Sequence, residues 1–139
     1  MSWLLFRRSQ GLIELFEGTP PAIPHDFIGP PIGSWPAHND TTSSSEGPWP
    51  DGVFDWSHYN AHEEMGFAPG CYATAYGCEG IHVFEVDGRA GMGVHAGRTH
   101  GEPGHLGGKT LGCIRVPADA MTIINSVHNA DPLVKIESY

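Results

Sequence analysis

Cys113 and His95 lie eighteen positions apart, each carried by a short apolar run, Met92-Gly93-Val94-His95-Ala96 and Cys113-Ile114-Arg115-Val116. A thiolate is the nucleophile in cysteine chemistry, and an adjacent imidazole promotes its formation. A thiol and an imidazole on neighbouring strand ends would therefore make an activated nucleophile. A catalytic thiol of this kind is expected to react well below the ordinary thiol pKa. The chain between the two is loop, with glycine at six of the sixteen positions from 97 to 112. Gly112 frees the backbone just before the sulfur, for close approach of a substrate or for a conformation other residues resist. Arg98, Lys109 and Arg115 are three of only seven Lys and Arg in a chain of formal charge −9. Their concentration here predicts a local pocket for a carboxylate or other anion.

The residues by themselves leave three chemistries open. A free cysteine on a core strand is often a small buried apolar residue and nothing more. His95, His100, His105 and Cys113 also offer ligands for zinc, although their spacing matches no compact finger or knuckle. Covalent catalysis is the third, and the order His-then-Cys excludes a papain-like arrangement, where the nucleophile comes first. Two further histidines, His58 and His62, would share a helix face. No Glu follows the first of them, so the H-E-x-x-H metalloprotease motif is absent. They read as solvated histidines beside a loop or short helix, and His82 as structural or exposed on a strand. No metal or other cofactor is expected.

The elements that must position the pair follow from the apolar pattern. Residues 3–8 and 12–17 are short, apolar or alternating, and separated by Ser9-Gln10-Gly11, which predicts an opening hairpin. Prolines and glycines make 18–32 loop, and 32–37 a brief extended piece. Residues 39–52, rich in Ser, Thr, Gly and Pro, read as a loop insertion in a single domain spanning 1–139. A turn at 68–72 leads into a strand at 72–76. Residues 81–86 form the clearest strand, and Asp87-Gly88 then predicts a hairpin to an antiparallel neighbour at 92–96. After Val116, Pro117 suits a first helical turn and Asp119 complements the helix dipole. Ala120, Ile123, Ile124 and Val127 would share one helix face, Asn129 and Pro132 close the helix, and 133–136 is a final strand. The fold is mainly β with one amphipathic helix.

Composition excludes several function classes. At 139 residues the chain can bury a real core. Its acidity forbids a broad basic surface, so neither nucleic acid nor anionic lipid is an expected partner. No apolar run approaches a transmembrane segment. The N-terminus places apolar residues before Arg7 and Arg8, the reverse of a secretory signal, so no signal peptide is expected. With three cysteines at least one thiol stays unpaired within a monomer, and a Cys71–Cys78 bridge is compatible with an oxidising compartment.

The segment Thr110-Leu111-Gly112-Cys113-Ile114-Arg115 partly matches the sortases, whose histidine lies much further upstream. It more closely resembles the L,D-transpeptidase catalytic domain, whose signature is a histidine, a loop of mid-teens length, and Ser/Thr-x-Gly-Cys-Ile-Arg. Ala68-Pro69-Gly70-Cys71-Tyr72 is similar to that family's Pro-x-Gly-x-Tyr turn, and the helix and last strand fall where that domain has them. The likeness spans residues 3–139 in outline. The chain departs from it at Leu111, where many members have histidine, and at Ala96, where they have glycine. The loop at 39–52 and the missing export signal are closer to small effector-type members.

The resemblance implies a β-sandwich that performs acyl transfer on peptidoglycan stem peptides in the periplasm or cell wall. It implies Cys113 as nucleophile and His95 as base, with a backbone carbonyl near Ala96 and Gly97 holding the second imidazole nitrogen. The Cys113 amide, aided by Gly112, would stabilise the oxyanion, with Thr110, Arg98 and Tyr72 toward substrate and Arg115 either binding a substrate carboxylate or bracing the loop. The rival expectation is a domain that binds cell-wall peptide without turnover, or one that binds zinc.

Overall fold

The first strand, β1 (Ser2–Arg7), is apolar along nearly its whole length because it is flanked on both sides. It pairs antiparallel with β2 (Leu12–Glu17) and parallel with β8 (Leu133–Ser138), so neither edge meets water. Alternation sends Leu4 and Phe6 into the main core, while Trp3 and Leu5 pack on the other face with Phe16 and Tyr139. The computed structural model describes residues 1–20, 29–41, 45–61, 77–97, 110 and 112–139. The remaining elements are β3 (Gly33–Pro36), β4 (Gly52–Asn60), β5 (Ile81–Phe84), β6 (Gly93–His95), β7 (Ile114–Arg115) and a helix, α1 (Ala118–Ala130).

The strands form one mixed sheet in the order β3-β2-β1-β8-β4-β5-β6-β7. β4 joins its two halves: Gly52 to Asp55 pair with β8, and Trp56 to Asn60 with β5 after a shift in register. The sheet curls so that Leu4, Phe6, Ile13 and Leu15 from one half share a core with Phe84, Val94 and Ile114 from the other. That is the β-sandwich expectation, realised by one continuous sheet folding over its own core.

Three local expectations are corrected. Residues 53–60 are strand, not loop or short helix. Phe54 and Trp56 lie toward the core while Val53, Asp55 and Ser57 face out, a period of two that breaks at the shift in register between Trp56 and His58 and leaves His58 exposed. His62 lies outside the described residues, as do the expected turn at 68–72 and strand at 72–76. On α1, the buried residues are Ala120, Met121 and Ile124, and Ile123 is 42% exposed. At about 100° per residue, the buried arc centres between Ala120 and Met121, leaving Ile123 beyond its edge. Pro117 is the residue before the first helical turn, with φ −64 and ψ 154, one position earlier than expected.

Segment 39–52 contributes to the interior despite its composition. Trp49 is fully buried within the core and Asn39 is 7% exposed. Cys78 is disulfide-bonded and Cys113 is a free thiol, and Cys71 lies outside the described residues. No helix among the described residues is long and apolar enough to cross a membrane.

Candidate active site

The hairpin expected at Asp87-Gly88 is present: Val86 and Arg89 bridge across it, Gly88 takes φ +73, and β6 returns antiparallel to β5. β7 then pairs with β6 in parallel, Val94 opposite Ile114 and His95 opposite Arg115. Continued back by one residue, this register sets Cys113 opposite Gly93, two places from His95. The sulfur takes a hydrogen bond from the Gly93 backbone, two residues before His95, so the thiol lies beside the strand that carries the imidazole.

His95 is 3% exposed, and its Nδ1 lies 2.7 Å from the carbonyl oxygen of Ala96. A carbonyl only accepts, so Nδ1 carries a proton, and in the neutral imidazole the lone pair is on Nε2. This is the tautomer a base needs. The parallel ladder holds the residue in place, the Val116 N–H donating to the His95 carbonyl at 3.0 Å.

The thiol is half-buried and donates to the Gly91 carbonyl at 3.5 Å. Burial pushes its pKa above the ordinary thiol value; a hydrogen bond from the Gly93 backbone and the charges of Arg115 and Arg89 act in the opposite direction. The expectation of a depressed thiol pKa is therefore corrected for the resting molecule. Desolvation outweighs the two guanidinium groups, and the sulfur rests as the thiol. Its proton has to leave during attack, not before it.

The backbone on either side of the sulfur is clamped. Gly112 adopts φ +136, and a Cβ there would lie 2.2 Å from Arg89 Nη2. Asn39 Nδ2 donates to the carbonyls of Gly112 (2.5 Å) and Cys113 (2.9 Å), and Asn39 Oδ1 accepts from the Trp49 N–H. That last contact fixes which end of the side-chain amide faces the carbonyls. Thr110 Oγ1 donates to the Cys113 carbonyl at 2.8 Å and accepts from the Gly112 N–H at 3.1 Å. Thr110, read as a substrate contact, is thus 6% exposed and occupied with the loop. Arg115 is buried, with Nη1 3.4 Å from the Gly97 carbonyl, and its backbone exchanges hydrogen bonds with His38.

Asn39 and Arg89 went unremarked in the sequence. Asn39 carries no local signal, since the carbonyls it donates to are more than seventy residues away. Arg89 had one: the Asp87-Gly88 turn folds the next residue back beside the strand that ends in His95. Its guanidinium donates to the carbonyls of Gly47 (2.6 Å) and Pro48 (2.9 Å), tying residues 47–49 to the cysteine loop. Arg98, Tyr72, Lys109, His100 and His105 lie outside the described residues. No group of three metal-binding side chains occurs among the described residues.

His82 occupies a different environment, fully buried on β5. Trp56 Nε1 donates to its Nδ1 at 3.2 Å, and its Nε2 lies 2.8 Å from Asn125 Oδ1 on α1. The His128 and Tyr59 rings lie 4.9 and 4.8 Å from it. Burial pushes its pKa down to about 4. One nitrogen ties β5 to α1 and the other to Trp56 of β4, so this histidine is structural.

The sequence matches no protein-family model and no curated protein. The structure is similar to Bd1075 of Bdellovibrio bacteriovorus, with a TM-score of 0.63 and 17% identity. That likeness covers 99% of this chain and 47% of that one. It is also similar to L,D-transpeptidase 1 of Mycobacterium tuberculosis, with a TM-score of 0.52 and 14% identity over 99% of this chain and 60% of that one. The chain therefore spans about half to three-fifths of the length of these proteins and has an L,D-transpeptidase-like fold.

Proposed function

We propose that the protein catalyses cysteine-dependent acyl transfer on peptidoglycan stem peptides. The observation that supports this reading is the parallel pairing of β6 with β7, which lays the strand ending in His95 beside the one that begins directly after Cys113, within an L,D-transpeptidase-like fold.

In this reading Cys113 Sγ attacks the carbonyl that follows the L-centre of a tetrapeptide stem. His95 Nε2 takes the thiol proton as the carbon–sulfur bond forms, then delivers it to the departing D-amino acid. Concerted transfer suits a thiol whose own pKa is raised. The positive charges of Arg115 and Arg89 favour negative charge on the sulfur, against the burial that disfavours it. The Cys113 N–H, with Gly112 opening the backbone beside it, stabilises the tetrahedral oxyanion. Arg98 and Tyr72 are proposed substrate contacts. The acyl-enzyme then passes to a stem amine, to a free D-amino acid, or to water. The reaction takes place in the periplasm or cell wall.

The test is incubation of the wild type and Cys113→Ala with a purified tetrapeptide muropeptide, followed by mass spectrometry of the products. Release of the terminal D-amino acid by the wild type alone supports the proposal. No turnover by the wild type, or equal turnover by the variant, contradicts it. The raised thiol pKa is the observation that favours a peptide-binding domain without turnover, and that reading predicts muropeptide binding with no product from either protein.

A further inference from the structure

We propose that Asn39 is a positioning residue that turns the Gly112–Cys113 peptide over and so aims the Cys113 N–H as the oxyanion donor. In an extended strand successive carbonyls point to opposite sides. Here the carbonyls of Gly112 and Cys113 both meet one side-chain nitrogen, Asn39 Nδ2, at 2.5 and 2.9 Å. The peptide between them is therefore turned relative to the ladder that follows. That ladder resumes at once, because Arg115 exchanges both backbone hydrogen bonds with His38, the neighbour of Asn39. In strand geometry the Cys113 N–H would point to the same side, toward residues 38–41. A trans peptide is planar and sets its N–H opposite its C=O, so fixing the Gly112 carbonyl on Asn39 directs the Cys113 N–H away from that segment.

Only glycine adopts φ +136 with ease, which gives Gly112 its reason. The surrounding groups are saturated. Asn39 spends both amide hydrogens on the two carbonyls and its oxygen on the Trp49 N–H. The Thr110 hydroxyl takes the Gly112 N–H and the second lone pair of the Cys113 carbonyl. The Cys113 N–H has no hydrogen-bond partner among the described residues. A backbone donor beside a nucleophilic sulfur, held in direction by its own peptide plane, is what stabilising a tetrahedral oxyanion requires. Asn39 touches neither sulfur nor substrate and acts through the peptide it holds.

The inference rests on Cys113 being an acylating nucleophile, but not on the identity of its substrate. Its test compares two reagents on the wild type, Asn39→Ala and Asn39→Asp. p-Nitrophenyl acetate acylates a thiol through an oxyanion, whereas iodoacetamide alkylates it by displacement without one. Loss of the aimed donor is expected to slow acylation on the order of a hundredfold, with alkylation within a few-fold of wild type. Asn39→Asp keeps the acceptor for the Trp49 N–H and removes the donors, so it repeats the result if Asn39→Ala folds poorly; thermal melts of all three report folding. Acylation and alkylation falling together, or neither falling, overturns the proposal, as does a wild type that p-nitrophenyl acetate does not acylate. If p-nitrophenyl acetate acylates the wild type and the muropeptide does not, the substrate reading fails while the role of Asn39 stands.

Discussion

Substituting Gly112 by alanine loads the cysteine loop with two separable costs. The first is conformational: φ at this position is +136, and holding a side-chain-bearing residue there costs about 1–3 kcal/mol. The second is a collision, since the new Cβ would sit 2.2 Å from Arg89 Nη2 and 3.1 Å from Met92 Sδ. The Arg89 terminus can move, but moving it breaks its hydrogen bonds to Gly47 and Pro48. Bonds from a charged donor contribute roughly 1.5–3 kcal/mol each; losing one brings the total to about 3–5 kcal/mol. For a domain of this size that lowers the melting midpoint by roughly 10 °C or more.

Gly88→Ala is the control, because its φ is +73 and nothing lies within 4 Å of the added Cβ. It should lose only the conformational part, about 1 kcal/mol. Combining Gly112→Ala with Arg89→Ala removes the collision, so the double variant should be less destabilised than the sum of the singles. Urea denaturation of the four variants supplies the numbers. Equal losses for Gly112→Ala and Gly88→Ala, or strict additivity with Arg89→Ala, would refute the packing of Arg89 against Gly112.

Three further outcomes follow from the same geometry. His82 has a folded pKa of about 4 against an ordinary 6.5, so the unfolded chain binds its proton first; the contribution is complete above pH 6.5 and lost as pH falls toward 4, about 3 kcal/mol in all. Stability measured against pH should lose that acid-side slope in His82→Gln, and an unchanged slope would contradict the assignment. Trp49→Ala removes a fully buried ring from the core and should cost about 3–5 kcal/mol by denaturant titration; a cost below about 1 kcal/mol would mean residues 45–50 are not anchored as described. The rate of Cys113 alkylation against pH should show a midpoint above the ordinary thiol value, because burial outweighs the two arginines. A midpoint well below it would show that the resting sulfur is already a thiolate.

Much of the frame was legible because its signals are local. The opening hairpin, the strand before Asp87-Gly88, its antiparallel return and the helix after Pro117 each follow from periodicity or turn chemistry within a dozen residues. The two short strands that flank the glycine-rich stretch were legible from their apolar runs, and they pair in parallel as neighbours, β6 ending in His95 and β7 beginning directly after Cys113. β4 was missed although Phe54, Asp55, Trp56 and Ser57 alternate, because the His58–His62 spacing also fits a helix. Ile123 was misplaced because a helical stripe read from sequence has no fixed centre until the partner surface is known. The clamp on the cysteine loop was not legible at all. Asn39 and Arg89 reach it through contacts dozens of residues apart, and a Ser- and Pro-rich composition around 39–52 gives no hint of a buried amide. The thiol pKa depends on burial, which spacing alone does not report.

The most direct test of the central claim is the intact mass of the protein after incubation with a carbapenem, alongside Cys113→Ala. The account predicts a single covalent adduct on the wild type that maps to the peptide containing Cys113 and is absent from the variant. An unmodified wild type, or an adduct that survives loss of the thiol, would contradict it.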